Sequence, residues 1–143
     1  MIKVSRLADY GVVILAFLSG QNLMTAAGVS EETGFPEPTV AKVLKLLAKS
    51  GLLLSVRGAS GGYKLVKPAA EVTVAEVVMA VDGPVSLTAC VEGSRASCDY
   101  ASCCPVKGRW DGVNDAIRAA LEGITLADMA EDTTSLAIES RQA

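Results

Sequence analysis

The 143-residue chain has no histidine, and outside one fifteen-residue window it has no cysteine. It also lacks an apolar run long enough to span a bilayer, a glycine-rich loop ending in Gly-Lys-Ser/Thr, and any pair of residues placed for acid–base work. Without histidine the commonest general base is missing. Without the phosphate loop, nucleotide chemistry of the P-loop kind is excluded. An enzyme is therefore not expected. The opening residues 1–21 have the outline of an export signal, but Asp9 interrupts the apolar run and no small-residue cleavage site follows. That predicts a first helix in a cytoplasmic protein with no membrane partner. In that compartment cysteines serve as ligands or redox thiols rather than as a disulfide framework.

Charge is unevenly distributed. Residues 1–68 carry eight basic and four acidic side chains, and residues 69–143 carry five and twelve, giving a net charge of −3. Over residues 37–68 the ratio is six to one. The acidic total is thus compatible with nucleic acid, because the positive charge is concentrated where a duplex could meet it.

Apolar spacing predicts a helix over residues 7–18 and a short second helix capped by Thr25 and closed by Gly34. A third helix has Pro38 in its first turn and ends at Gly51. Val40, Val43, Leu44 and Leu47 form its buried stripe, and Thr39, Lys42, Lys45, Lys49 and Ser50 project from its other faces. Two strands, 52–57 and 63–67, flank a tip of Gly58-Ala59-Ser60-Gly61-Gly62 with Arg57 and Lys64 beside it. Helix, turn, basic helix and hairpin make a winged helix-turn-helix, so the expected fold is mainly α with a small β-wing. Thr73 caps a further helix to about Val81, and Asp82-Gly83-Pro84 breaks the chain. The expected division is a DNA-binding domain over 1–84, a cysteine loop over 85–104, a dimerisation helix and short C-terminal helix over 105–132, and a flexible tail over 133–143. The long helix is expected to start at Pro105. Val106, Trp110, Val113, Ile117, Ala120 and Leu121 recur along it in a narrow seam that calls for a partner helix.

All four cysteines, Cys90, Cys98, Cys103 and Cys104, lie in residues 90–104. Core cysteines would be scattered. Soft thiolates suit iron and sulfide, whereas structural zinc favours CxxC pairs, which are absent here. Thiols that bind nothing are the plain alternative.

Several stretches together resemble the winged-helix regulators that sense iron–sulfur status, of the IscR, NsrR and RirA type. They are Leu7-Ala8-Asp9-Tyr10, the recognition-helix run from Thr39 to Leu47, Gly51-Leu52, Val56-Arg57-Gly58-Ala59 with Gly61-Gly62-Tyr63, Val81-Asp82-Gly83-Pro84, and the cysteine loop ending in Trp110. The likeness spans about residues 1–125. Cys104-Pro105-Val106-Lys107-Gly108 is most similar to the subgroup regulating SUF-type cluster assembly. The resemblance implies a transcriptional regulator responding to iron, oxidative or nitrosative stress, with an iron–sulfur cluster held by Cys90, Cys98 and Cys104. Cys103 has no counterpart. IscR-type members add a histidine three residues after the third cysteine to hold a two-iron cluster. Lys107 stands there, and a protonated lysine cannot ligate iron. In the NsrR type an aspartate of helix 1 from the other subunit completes a four-iron cluster, and Asp9 matches that position. A four-iron cluster is the favoured expectation and a two-iron cluster the other. Asp9 as a solvated helix-face charge, or a labile exogenous ligand, stays open.

The same resemblance implies a homodimer on a pseudo-palindromic double-stranded operator, its recognition helices roughly 34 Å apart in successive major grooves. Thr39, Lys42 and Lys45 would face bases, and Arg57 would enter the minor groove with Gly58, Ser60 and Gly61 permitting close approach. Lys49 and Lys64 would meet phosphates. Some members read bases with a glutamate where this chain has Ala41, which implies a different operator preference. The competing expectation is a cluster-free repressor that senses oxidation through Cys103 and Cys104, or Cys90 and Cys98.

Overall fold

The computed structural model describes residues 2–130; the expected tail, 133–143, lies outside them. Three helices open the chain. The first, α1 (Arg6–Leu18), starts where the Ser5 hydroxyl accepts from the Ala8 amide, and it buries Ala8, Gly11, Val12, Ile14, Leu15 and Leu18. The second, α2 (Ala26–Thr33), runs from the Thr25 cap to Gly34, whose φ of 76° is the left-handed stop the sequence predicts. The third, α3 (Glu37–Lys49), has proline in its first turn and buries Val40, Val43, Leu44 and Leu47. Tyr10 stacks on Phe35, ring centroids 4.2 Å apart, which ties α1 to the α2–α3 turn.

Strands β1 (Leu53–Val56) and β2 (Gly62–Leu65) pair antiparallel, Leu53 opposite Leu65 and Val56 opposite Gly62. Both are slightly shorter than the sequence runs. The wing is also tied to the helices by a bridge between Met24 and Tyr63, with amide–carbonyl bonds of 3.0 and 2.7 Å. A Cβ on Gly62 would lie 2.5 Å from the Met24 carbonyl oxygen, so only glycine lets the bridge close. Helix α4 (Val74–Asp82) begins with a reciprocal capping box between Thr73 and Glu76. The first wall of the core is α1, α3 and α4, joined by Val29, Leu52, Leu53, Val72 and Leu126.

From Gly83 to Arg109 there is no helix or strand. The helix expected from Pro105 begins instead as α5 (Trp110–Glu122). Gly108, at φ 76°, cannot continue a right-handed helix. Residues 104–111 turn through bonds in which the Lys107 amide donates to the Cys104 carbonyl, the Arg109 amide to Val106 and the Asp111 amide to Gly108. Val106 therefore leaves the seam. After α5 the chain returns to the DNA-binding half: the Leu126 amide donates to the Val72 carbonyl at 2.7 Å, Val74 donates to Ile124 at 2.9 Å, and Leu126 is fully buried. Residues 126–130 are helical. Among the described residues no helix is long and apolar enough to cross a membrane.

Candidate nucleic-acid interface and thiol loop

The amphipathic pattern of α3 determines what faces outward. With 3.6 residues per turn, Lys42, Lys45 and Lys49 fall opposite the buried Val40–Leu47 stripe, and all three are exposed. Thr39 and Ala41 are partly buried at its N-terminal end. Arg57, Gly58, Ser60 and Lys64 are exposed at the wing, and Gly61 is half-buried. Gly61 has a structural duty besides: a Cβ there would sit 2.2 Å from the Val56 carbonyl oxygen, so the tip needs it to turn. Within the described residues, none of these cations is in an ion pair with a carboxylate; the described pairs are Lys67 with Glu76, and Arg118 with Asp115 and Glu122. The lysines of α3 and the wing are thus open to an external anion.

Lys67, at the wing's exit, donates to Glu76 of α4 at 2.8 Å. This bond, and the bond from the Thr73 amide, hold the Glu76 carboxyl below its ordinary value of 4.5. The pair fixes the wing stem on the helix bundle and takes Lys67 out of the basic surface.

The four cysteines form no disulfide; Cys90, Cys98 and Cys104 are half-buried and Cys103 is exposed. Cys90 Sγ lies 3.1 Å from the Thr88 hydroxyl, and Cys103 Sγ lies 3.6 Å from the Tyr100 carbonyl. The donor set suits iron and sulfide chemically. It is not preassembled, because among the described residues no three Cys, Asp or Glu side chains gather into a group that could hold a metal. Asp9 is exposed in the first turn of α1, where the helix dipole favours a negative charge, so it avoids the cost of burial that its apolar sequence context raises. It lines a groove with Lys3, Val4, Arg6, Val12 and Met129 rather than joining the thiols.

The loop is nevertheless anchored. Asn114 of α5 is 2% exposed; its Oδ1 accepts from the Leu87 amide and its Nδ2 donates to the Val85 carbonyl, both at 2.9 Å. Asp111 accepts from the Glu92 amide at 2.9 Å. The Arg95 guanidinium lies against Gly83, within 3.3 Å of where a Cβ would be, at the C-terminal end of α4. Sequence periodicity passes over Asn114, whose partners lie 27 and 29 residues upstream. The only signal was a polar residue beside an apolar seam. Of that seam, Ile117 and Leu121 are half-buried, whereas Trp110 (43%) and Val113 (45%) are exposed.

A three-helix unit with a basic outer helix and a two-stranded wing defines a winged helix-turn-helix DNA-binding regulator. The Rrf2 family of iron-dependent transcriptional regulators matches residues 4–132, and the chain belongs to that family. It is 33% identical over 137 residues to the HTH-type transcriptional regulator IscR of Photorhabdus laumondii, covering 96% of this chain and 82% of that one. Among solved structures, T. potens IscR is 29% identical with a TM-score of 0.67, covering 92% of this chain and 88% of that one. CymR (YrzC), the global cysteine regulator of B. subtilis, is 25% identical with a TM-score of 0.69, covering 92% and 98%. These relatives are transcriptional regulators, not enzymes.

Proposed function

We propose that the chain is a sequence-specific regulator that senses iron–sulfur cluster status and controls genes of SUF-type cluster assembly or iron homeostasis. The observation that carries this reading is the confinement of four disulfide-free thiols to one irregular loop, anchored on α5 beside a basic winged helix. Cys90, Cys98 and Cys104 would hold the cluster. Asp9 of a second copy is the candidate fourth ligand, which favours four irons over two because Lys107 replaces a histidine. When bound, such a group supplies a redox- and iron-labile state. Among the described residues no three candidate ligands gather, so holding it requires the loop to draw them together.

Two copies would meet through the exposed apolar side of α5, Trp110 and Val113, to make a homodimer. Thr39, Lys42 and Lys45 would then read one major groove per copy. Arg57, Gly58, Ser60 and Gly61 would present the wing to the minor groove, and Lys49 and Lys64 would neutralise phosphates. The test is anaerobic purification of the full chain and its Cys98→Ala variant, with iron, sulfide and operator affinity measured on each. Equal iron and sulfide per chain in the parent, lost in the variant together with the cluster-dependent change in affinity, is expected. Unchanged cluster content in Cys98→Ala would remove the ligand assignment.

A second reading rests on exposed Cys103 beside Cys104, together with the likeness to CymR: a cluster-free repressor that responds to thiol oxidation. A parent chain free of iron after attempted reconstitution, with DNA affinity that changes on mild oxidation, would select it.

A further inference from the structure

We infer that Asn114 is a positioning residue for Cys90, and that its side-chain amide is the joint through which the state of the thiol loop reaches α5. This deepens the reading of the loop as a sensor, but it concerns the protein without any bound group.

Asn114 is the one buried polar side chain among the described residues, and both ends of its amide are used on backbone of the loop. A side chain serving only the packing of α5 would be apolar. An asparagine here spends its two-sided hydrogen bonding on Val85 and Leu87, which lie five and three residues before Cys90. Asp111, one turn earlier on the same helix, holds Glu92, two residues after Cys90. Cys90 therefore sits on a short span of chain fixed at both ends to one helix. Val91, inside that span, is the loop's one buried hydrophobic residue, so the span faces inward at that point. Cys98, Cys103 and Cys104 lie beyond the second anchor. Their described backbone bonds stay within the loop: the Ala101 amide donates to the Cys98 carbonyl, the Cys103 amide to Tyr100 and the Lys107 amide to Cys104. Movement at Cys90 therefore pulls on α5 through side-chain bonds to Asn114 and Asp111, whereas Cys103 and Cys104 connect to α5 only along the chain, through the turns of 104–111.

The two anchors differ in kind. Asp111 supplies only an acceptor and is partly exposed, so water can replace it. Asn114 supplies donor and acceptor from a side chain only 2% exposed, so its loss leaves the amide of half-buried Leu87 and the carbonyl of half-buried Val85 without their partner. Asn114 is thus the stiffer of the two joints.

The experiment measures N-ethylmaleimide labelling rates at each cysteine of the full metal-free chain by peptide mass spectrometry, with hydrogen exchange of residues 85–92 and 110–122. Asn114→Leu removes both bonds. Asn114→Asp keeps the acceptor for Leu87 and loses the donor to Val85. Cys90 is expected to label on the order of thirtyfold faster in Asn114→Leu, the equivalent of about 2 kcal/mol for two net hydrogen bonds, and about fivefold faster in Asn114→Asp, which loses one. Cys98, Cys103 and Cys104 should hold their parental rates. The Leu87 amide should lose protection in Asn114→Leu and keep it in Asn114→Asp. Labelling Cys90 should raise exchange across 110–122 in the parent and leave it unchanged in Asn114→Leu, where the joint is already broken. An unchanged Cys90 rate would overturn the inference. So would equal acceleration of Cys90, Cys98 and Cys104, which would make Asn114 a general support of the fold. Neither result depends on whether the chain binds iron: a parent that holds no cluster but shows the selective Cys90 response would end the cluster reading and leave this one standing.

Discussion

Residues 6–82 and residues 83–109 are held in place by different physics. The first stretch is three helices, a wing and a fourth helix around a shared apolar core, with Ile14, Leu15, Val29, Val40, Val43, Leu44, Leu47, Val72 and Val77 fully buried. The second has no regular element, and its one buried hydrophobic residue, Val91, stands apart from that core. Its shape comes from Asn114, Asp111, Arg95 and a few turns. Apolar burial is non-directional and shared among many neighbours, so removing part of it loosens the whole unit. A handful of hydrogen bonds, each about 1 kcal/mol net, holds a loop that can rearrange without unpacking the core of the reader. That division would let the thiols rearrange, as the proposed sensing requires, while each DNA-reading unit keeps its internal fold.

The sharpest way to break the comparison is to cut each region at its most buried point. Leu44→Ala on α3 should cost about 2–5 kcal/mol, because it leaves a cavity among helices that cannot collapse independently. Val91→Ala should cost about 1–2 kcal/mol for its lost methyls. Urea unfolding followed by circular dichroism checks both. A Val91→Ala cost as large as that of Leu44→Ala would mean that the loop is part of the core rather than an attachment to it.

A smaller effect than that of Leu44→Ala is expected at the reader's surface. Arg57→Ala should weaken operator binding by about 1–3 kcal/mol and relax preference at the base pairs beneath the wing. Lys49→Ala should weaken all sequences alike and lower the slope of log affinity against log salt by about 0.9 per chain. Salt-dependent fluorescence anisotropy on operator and scrambled duplexes distinguishes the two. Arg57→Ala with unchanged affinity would take the wing out of the interface. Neither substitution should alter labelling of Cys90, since Lys49 is on α3 and Arg57 at the wing, away in sequence from the loop and α5.

The reader was far more legible in the sequence than the loop, for a physical reason. Helices α2 and α3 announce themselves through Thr25, Gly34, Pro38 and the Val40–Leu47 stripe, all of which act within one or two turns. The wing's pairing follows from two apolar runs and a glycine tip. Its isolated bridge to the helices, Met24 to Tyr63, has no periodic trace because two residues cannot show a period. The start of α5 was misread because Pro105 is a good first-turn residue, whereas Gly108 at positive φ decides the matter three residues later. Asn114 was invisible because its partners are distant in sequence. The grouping of four cysteines in one loop is plain from their positions and residue type. Whether the thiols come together is a question of loop closure, which local pattern does not encode.

The least change expected is at the junction of wing and bundle, where Glu76→Gln tests a charge while keeping an acceptor for the Thr73 amide. The Glu76 carboxyl lies below its ordinary 4.5, chiefly through the Lys67 bond. A depressed carboxyl stabilises the fold fully above its unfolded value, and that contribution is lost as pH falls through the lower folded value. The parent should therefore unfold at a slightly higher temperature than Glu76→Gln from neutral pH down to about 5, and the gap should close below 4.5. Both side chains are more than a third exposed, so solvent screening keeps the effect within ~1 kcal/mol and added salt should shrink it. Melting curves across pH, with and without salt, read this directly. A gap that persists unchanged into acid would mean that Glu76 acts through the helix cap alone. The wing would then rest on the Met24–Tyr63 bridge and its own strands, with no electrostatic contribution from Lys67.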